Sequence, residues 1–276
     1  MDKRSMALSI ASLGALGAQA VSAPVAPVEV DVAIGCVAVA LAIAGRRASA
    51  AAGAIGALTA LLAVLFPISL LPWQATMALA LGIYALLARL DPALAPAAGW
   101  ARRGSVPLMP TAIVAGVTPF ALAGWLVVVR PDLSDALRVY VPDLPLAALI
   151  AGGVAFALVN AVLEELIWRG VLHDRLEAIA SPAPIEERSE AMPGRRLPPS
   201  RSAVAVIALT SISFGVQHAH GVPRGFIGAL LAGVWAVMLA WLRRRARGLA
   251  APVVAHVVAD ATIAVIMLTL ASAGEG

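Results

Sequence analysis

Two adjacent acids and two histidines lie in strongly apolar stretches of this 276-residue chain. Glu164 and Glu165 follow a long run that is apolar or small apart from Asn160. His218 and His256 each lie in a further apolar segment. Because an ionisable group is costly in lipid, its presence there indicates function. Carboxylates and imidazoles together predict a site for acid–base chemistry.

Four-residue spacings indicate which of these side chains can meet on a helix. Glu165 and Arg169 face each other, and an ion pair would lower the cost of burying the acid. Glu164 points about 100° away and has no such partner in the local sequence, which favours it as a general base. His256 and Asp260 can point into one cavity. The alternative is that the acids border the bilayer at a cytoplasmic helix end and that each histidine is a packed structural residue.

The composition predicts the class of fold. The chain is 61% hydrophobic and 13% charged, with a mean hydropathy of +0.91, which is typical of a polytopic membrane protein. Runs near the length of a membrane-crossing helix lie at about 6–23, 30–45, 49–71, 73–89, 111–129, 145–168, 203–219, 226–242 and 249–271. We therefore expect an all-α transmembrane helix bundle of about eight or nine spans, with a catalytic cavity among the C-terminal helices. The first run imitates a signal peptide, but the proline that follows it and its modest hydrophobicity favour a retained helix.

Positive charge predicts the orientation of the chain. With the N-terminus in the cytoplasm, 17 of the 20 Lys and Arg residues fall on the cytoplasmic side. This bias follows the positive-inside rule and predicts a multi-pass protein of the plasma (inner) membrane. The arginine-rich run at 243–247 is then a topology anchor, and the expected partner is the lipid bilayer, with no nucleic acid.

The apolar segments that carry Glu164, His218 and His256 divide the chain into two parts. We expect N-terminal transmembrane helices over 1–144 and a catalytic transmembrane core over 145–276. A polar, proline-containing stretch at about 177–202 predicts a cytoplasmic loop. His173 and Asp174 lie just before it and are expected to be solvated.

Three motifs resemble those of the CAAX-protease and bacteriocin-processing family of intramembrane proteases, also called the CPBP or ABI family. The family pattern is Glu-Glu-x-x-x-Arg, then Phe-x-x-x-His, then His-x-x-x-Asn. Here the matching residues are Glu164, Glu165 and Arg169, then Phe214 and His218, then His256 and Asp260. The resemblance covers roughly 145–271 and departs from the commonest pattern at Asp260, where asparagine is usual. It implies an endopeptidase that hydrolyses a peptide bond at the membrane.

The resemblance also implies roles for these residues. Glu164, assisted by His218, would activate a water molecule. His256, with Asp260 beside it, would stabilise the tetrahedral oxyanion. Because an amide donates hydrogen bonds and an ionised carboxylate only accepts them, Asp260 must be protonated or act through His256.

The remaining motif residues are expected to support the catalytic ones. Arg169, paired with Glu165, would fix the end of its helix, and Phe214 would support the site from the second motif.

Metal dependence stays open at this point. The favoured mechanism uses the glutamate and requires no cofactor. Glu164, His218 and His256 could ligate zinc, although the His-Glu-x-x-His signature of soluble zinc proteases is missing from the sequence.

The predicted spans conflict with a shared site. They place Glu164 near the cytoplasmic end of one helix and His218 near the outer end of the next. Either the 203–219 helix begins well inside the cytoplasm, with His218 at mid-depth and 220–224 as a buried turn, or the shared site is wrong.

Other functions are also compatible with the predicted class of fold. A transporter would also bury ionisable groups, but no duplicated halves are apparent. A non-catalytic scaffold or a bacteriocin-immunity protein could keep the fold without the activity. A chain rich in arginine and poor in lysine is typical of a GC-rich bacterial genome, which favours a peptide or membrane-protein substrate over a prenylated one.

Overall fold

The computed structural model describes residues 2–22, 27–68, 72–95, 102–180 and 200–273, and these residues form a bundle of helices without strands. The first six helices are α1 (Lys3–Ser22), α2 (Val28–Ala48), α3 (Ala50–Ile68), α4 (Trp73–Leu90), α5 (Leu108–Val129) and α6 (Ser134–Tyr140). They are followed by α7 (Leu146–Glu165), α8 (His173–Ala180), α9 (Arg201–Gln217), α10 (Gly225–Ala246) and α11 (Ala250–Ser272). Within this part of the chain, seven helical segments are long and apolar enough to cross a membrane. The predicted all-α polytopic bundle is confirmed.

Two apolar helices are shorter than the seven membrane-length segments. They are Ala50–Phe66 and Arg201–Gln217. Both lie within or over predicted spans, so each of the nine apolar runs overlaps a described helix. Between α5 and α7 the short helix α6 was not predicted.

The outer faces of the bundle carry large apolar side chains. Phe120 of α5 is 80% exposed and Phe226 of α10 is 82% exposed. Exposed apolar surface of this extent marks contact with another apolar phase. The outer faces of these helices therefore suit contact with lipid.

Helix α3 packs inside the N-terminal part of the bundle, against α1, α2, α4 and α8. Ile55 and Leu58 are fully buried. Helices α2 and α3 approach closely at Gly56, because glycine has no Cβ atom. A Cβ atom there would lie only 2.6 Å from the Cα atom of Ala42. Small residues allow such close packing in membranes.

A continuous helical segment carries the acid pair well past its predicted end. Helix α7 continues through a π-helical turn, Leu166–Leu172, into α8, so Leu146–Ala180 forms one segment of 35 residues. The predicted end at residue 168 was wrong. A segment of this length spans about 52 Å at 1.5 Å per residue, and Glu164 lies near its middle.

The end of α9 resolves the predicted conflict in depth. Helix α9 stops at Gln217, His218 follows it as the cap, and 218–223 form turns and bends before α10 begins. The end of α9 meets the middle of the long α7–α8 segment. The shared site is therefore geometrically allowed, and the expectation that Glu164 lies near a helix end caused the conflict.

His173 and Asp174 are buried, so the expectation that they are solvated was wrong. Their exposed fractions are 0% and 2%. Because α8 prolongs the helix and packs against α3 and α9, both side chains turn inward. His173 Nε2 lies 3.4 Å from Glu177 Oε1, and Arg243 of α10 lies 3.8 Å from Asp174. Charged residues from α8 and α10 thus compensate one another at this end of the bundle.

Two further sequence predictions fall on the ends of described segments. Most of the predicted loop at 177–202, namely 181–199, lies outside the described residues. Helix α1 packs against α2, α3 and α9, and Gln19 Nε2 donates to the carbonyl oxygen of Ala63 at 2.6 Å. The retention of α1 and the division of the chain at residue 145 stay predictions.

Candidate active site

One carboxylate oxygen faces two imidazole rings at the centre of the site. The Oε2 atom of Glu164 on α7 lies 3.6 Å from Nε2 of His218 and 3.5 Å from Nε2 of His256. Glu164 is 4% exposed, and its Oε2 atom has no hydrogen-bond partner in the described structure. Three residues predicted from separate motifs thus meet at one unbonded acceptor.

The orientation of His218 follows from its backbone partner. Its Nδ1 atom lies 2.8 Å from the carbonyl oxygen of Phe214, one turn earlier on α9. Because a carbonyl oxygen only accepts, Nδ1 carries the hydrogen and Nε2 is the atom presented to Glu164. The ring also stacks on Phe214, with 4.1 Å between ring centroids.

A close helix contact fixes the end of α9 beside the site. A Cβ atom on Gly215 would lie 2.5 Å from the carbonyl oxygen of Ala229 on α10. Glycine is therefore required at this position for α9 and α10 to pack as they do. The contact holds the turn that carries Phe214 and His218.

Glu165 forms the predicted ion pair with Arg169. Arg169 Nη1 donates to Glu165 Oε1 at 2.8 Å, and both side chains are buried. The Nδ1 atom of His256 lies 2.8 Å from the same oxygen, so Glu165 directs His256 Nε2 towards Glu164. The Arg169 guanidinium lies over the Phe214 ring, 4.5 Å from its centroid, which adds a cation–π contact.

Asp260 joins the site through an amide that sequence reasoning missed. Asp260 Oδ1 lies 3.7 Å from His256 Nε2. Asn160 Nδ2 donates to Asp260 Oδ2 at 3.0 Å and to Glu164 Oε1 at 3.2 Å. No cation lies one turn from Glu164 in the sequence, but the amide of Asn160 does and donates a hydrogen bond to it. The signal was available: Asn160 is the polar residue of an apolar run, at the spacing used for the other pairs.

Aromatic rings enclose the second histidine. Trp235 of α10 meets the ring of His256 edge to face, with 4.8 Å between centroids. Trp168 packs in the same way against Phe214, at 5.7 Å. Trp235 thus packs directly on His256, whereas Trp168 packs on the Phe214 ring that stacks with His218. No sequence motif pointed to either tryptophan.

A cavity of about 750 Å³ opens onto part of this cluster. Glu164, His218, Asn160 and Asp260 line it, whereas Glu165, Arg169 and His256 do not. The remaining wall is mainly apolar and aromatic, and α1 and α4 contribute to it as well as the C-terminal helices. The acid pair of Glu164 and Asp260 thus faces a mainly apolar chamber, and such a mixture is usual in small-molecule and peptide sites.

A metal ion would need several ligating side chains directed at one point. Among the described residues, no group of three or more His, Cys, Asp or Glu side chains is arranged to hold one. Binding of zinc by Glu164, His218 and His256 stays an alternative, and sensitivity of the activity to a chelator tests it.

Comparison with known proteins is informative for the C-terminal part of the chain. Residues 146–262 match the family model described as "Type II CAAX prenyl endopeptidase Rce1-like". The matched segment contains all three motifs, from Glu164 to Asp260. No curated protein and no solved structure matched the chain. The resemblance drawn from the motifs is confirmed at the level of the family.

Proposed function

Since residues 146–262 match this family of CAAX endopeptidases, we propose that the chain is an intramembrane endopeptidase. Its substrate would be a peptide or a membrane-associated protein. The supporting observation is the placement of Glu164 Oε2, 3.5–3.6 Å from two imidazole nitrogens beside an apolar cavity. A carboxylate in that position can take a proton from water beside an enclosed peptide bond.

In the proposed reaction, Glu164 removes a proton from a water molecule, and His218 orients both the water molecule and the Glu164 carboxylate. The water oxygen bonds to the carbonyl carbon, and the carbonyl becomes a tetrahedral oxyanion. The proton then passes to the peptide nitrogen as the carbon–nitrogen bond breaks. The products are one carboxylic acid and one amine, so a single water molecule balances the reaction.

His256 is proposed to stabilise the oxyanion, with Asp260 beside it acting through the imidazole, because an ionised carboxylate only accepts hydrogen bonds. Preorganised donors in such sites contribute about 3 kcal/mol to the barrier reduction. His256 Nε2 lies 3.5 and 3.7 Å from carboxylate oxygens of Glu164 and Asp260, which both line the cavity. The buried Glu165–Arg169 pair supports His256 from the opposite side of its ring.

The favoured mechanism needs no metal. In it the glutamate and the histidines supply both proton transfer and charge stabilisation. Zinc bound by Glu164, His218 and His256 is the alternative, and it would make water more acidic.

Cleavage of a quenched fluorescent peptide library by the detergent-purified protein tests the proposal. We expect cleavage by the natural chain and loss of cleavage in Glu164→Gln. Activity that survives a chelator supports the glutamate mechanism, and chelator-sensitive activity restored by zinc supports the metal alternative. Absence of cleavage would favour an immunity or scaffold protein, and substrate flux in liposomes would favour a transporter.

The charges of the cavity wall favour a substrate segment that carries no charge. Glu164 and Asp260 are acidic, the imidazoles of His218 and His220 are the basic groups of the wall, and none of the described residues that line the cavity is Lys or Arg. A C-terminal C-a-a-X motif ends in a free carboxylate about three residues beyond its prenylated cysteine. Such a terminus would bring a negative charge to this wall without a Lys or Arg partner. We therefore propose an internal or amidated peptide segment as the preferred substrate.

Paired peptides of one sequence test this preference. One peptide ends in a carboxylate about three residues after the cleaved bond, matching the C-a-a-X geometry, and the other ends in a carboxamide. We expect the carboxamide to be cleaved with about tenfold higher kcat/KM, because a third carboxylate beside two acids, without a Lys or Arg partner, costs about 1 kcal/mol or more. Faster cleavage of the free acid would contradict the proposed substrate.

Orientation in the plasma (inner) membrane is part of the proposal. A cytoplasmic N-terminus follows from the positive-inside bias, and the apolar helical segments support a multi-pass protein.

A further inference from the structure

A single amide group bridges two carboxylates in the active site. Asn160 on α7 donates from Nδ2 to Glu164 Oε1 at 3.2 Å and to Asp260 Oδ2 at 3.0 Å. We propose that Asn160 is a positioning residue, which holds Glu164 and Asp260 in their working orientations. The proposal rests on the proposed function, because it assigns Asn160 a part in that reaction.

The two hydrogens of the amide match the two acceptors. A side-chain NH₂ group has two donors, so it can serve Glu164 and Asp260 at the same time. All three residues are at least 95% buried, and hydrogen bonds are costly to lose in such surroundings. Asn160 therefore ties α7 to α11 at the level of Glu164.

A second amide fixes which way the first one points. Gln74 Nε2 on α4 donates to Asn160 Oδ1 at 3.2 Å. If the Asn160 amide were flipped, its oxygen would face two carboxylates and its NH₂ group would face the donor of Gln74. Both contacts would then be unfavourable. The hydrogen bonds from Gln74 to Asn160 and from Asn160 to the two carboxylates form a relay that joins α4, α7 and α11. Every donor in the relay points from α4 towards Glu164 and Asp260.

The relay gives the acid at position 260 a hydrogen-bond donor. Where the family pattern has an amide on the last motif, this chain has Asp260, which cannot donate when it is ionised. In this structure an amide on α7 donates to that carboxylate. By bonding Oε1 of Glu164, Asn160 also leaves Oε2 to face His218 and His256.

The relay predicts an effect on kcat more than on KM. Asn160→Asp keeps the side-chain shape and replaces the shared donor by an acceptor beside two carboxylates. Losing a buried hydrogen-bond partner costs enough free energy to lower kcat by about tenfold to hundredfold. KM should change little, because the apolar wall that contacts the substrate is intact.

A double-mutant cycle between Asn160→Asp and Asp260→Asn tests the coupling. In the Asp260→Asn background, the amide introduced on α11 can donate to the acid introduced on α7. We expect the kcat loss caused by Asn160→Asp to be smaller there by about tenfold. Gln217→Glu is the matched control. Gln217 also lines the cavity, but its Nε2 atom donates to the carbonyl oxygen of Leu16, so it should show no coupling to Asp260→Asn.

The same cycle measured by thermal unfolding in detergent separates this proposal from the proposed function. If the natural chain cleaves no peptide, the proposed function fails, and the relay is judged by coupling in the melting temperature. Coupling between Asn160→Asp and Asp260→Asn in the melting temperature supports the relay. Where the protein cleaves peptide, the two substitutions should also be coupled in kcat. Equal effects of Asn160→Asp in both backgrounds would overturn it, as would a change confined to KM.

Discussion

Burial decides how much each ion pair contributes to stability. Glu165–Arg169 and Arg46–Asp91 have the same closest distance, 2.8 Å. The first pair has side chains 0% and 3% exposed, whereas the second has 38% and 47%. A buried charge that loses its partner stays without compensation, but an exposed one is solvated.

Arg169→Met should therefore lower the free energy of unfolding by about 3 kcal/mol, because it leaves Glu165 buried without its cation. Arg46→Met should cost less than about 1 kcal/mol, since its pair is solvated. Thermal or denaturant unfolding in detergent measures both variants. Equal losses in the two variants would contradict the importance of burial.

At the residue scale, the motifs predicted which side chains meet but not what holds them. Four-residue spacings placed Glu165 opposite Arg169 and His256 beside Asp260, because helix geometry alone brings such pairs together. Contacts between helices do not follow from spacing. The structure brings Glu164 to His218 and joins Asn160 to Asp260 from a different helix. The roles of these residues stay predictions.

At the element scale, the long α7–α8 segment was the main feature that hydropathy could not predict. The apolar run ends near residue 168, so charge indicated the end of the helix there. The buried His173 and Asp174 instead find polar partners on α8 and α10, which allows the helix to continue inside the bundle. A π-helical turn at Leu166–Leu172 also lacks a sequence signature, although such turns are frequent at functional sites.

A substitution at Gly152 of α7 tests whether the substrate enters the cavity. Gly152 lines the cavity, and a Cβ atom there would meet nothing within 4 Å. Gly152→Phe should fill part of the cavity and raise KM by at least about fivefold, with kcat little changed. Initial rates over a range of peptide concentrations measure both constants.

Gly124→Phe is the matched control for this substitution. Gly124 lies on the exposed face of α5, also with nothing within 4 Å of a Cβ atom, and outside the cavity lining. Its KM should equal that of the natural chain. If Gly152→Phe also leaves KM unchanged, substrate does not enter this cavity.

At the scale of the whole molecule, charge predicts orientation while packing determines the cavity. The fold class followed from composition and from apolar runs of membrane length. The assembly of one cavity from α1, α4 and the C-terminal helices did not, because it depends on which helices pack side by side. Sequence alone therefore placed the cavity too narrowly among the C-terminal helices.

Cysteine labelling tests the predicted orientation. The single cysteine, Cys36, is replaced by Ser, and Arg130→Cys or Arg245→Cys is added at an exposed position. A membrane-impermeant maleimide should label the first variant in intact cells and the second in inverted vesicles, as a cytoplasmic N-terminus requires. The reverse pattern would mean that the N-terminus lies outside.

The ratio of kcat for the natural chain to kcat for Glu164→Gln, on the best-cleaved peptide, tests the central claim most directly. General-base catalysis predicts a ratio of about a hundred or more. Glu177→Gln, which changes another acid of the same continuous helical segment outside the cavity lining, should stay within about threefold of the natural chain. A Glu164→Gln variant that cleaves as fast as the natural chain would show that Glu164 is not the base.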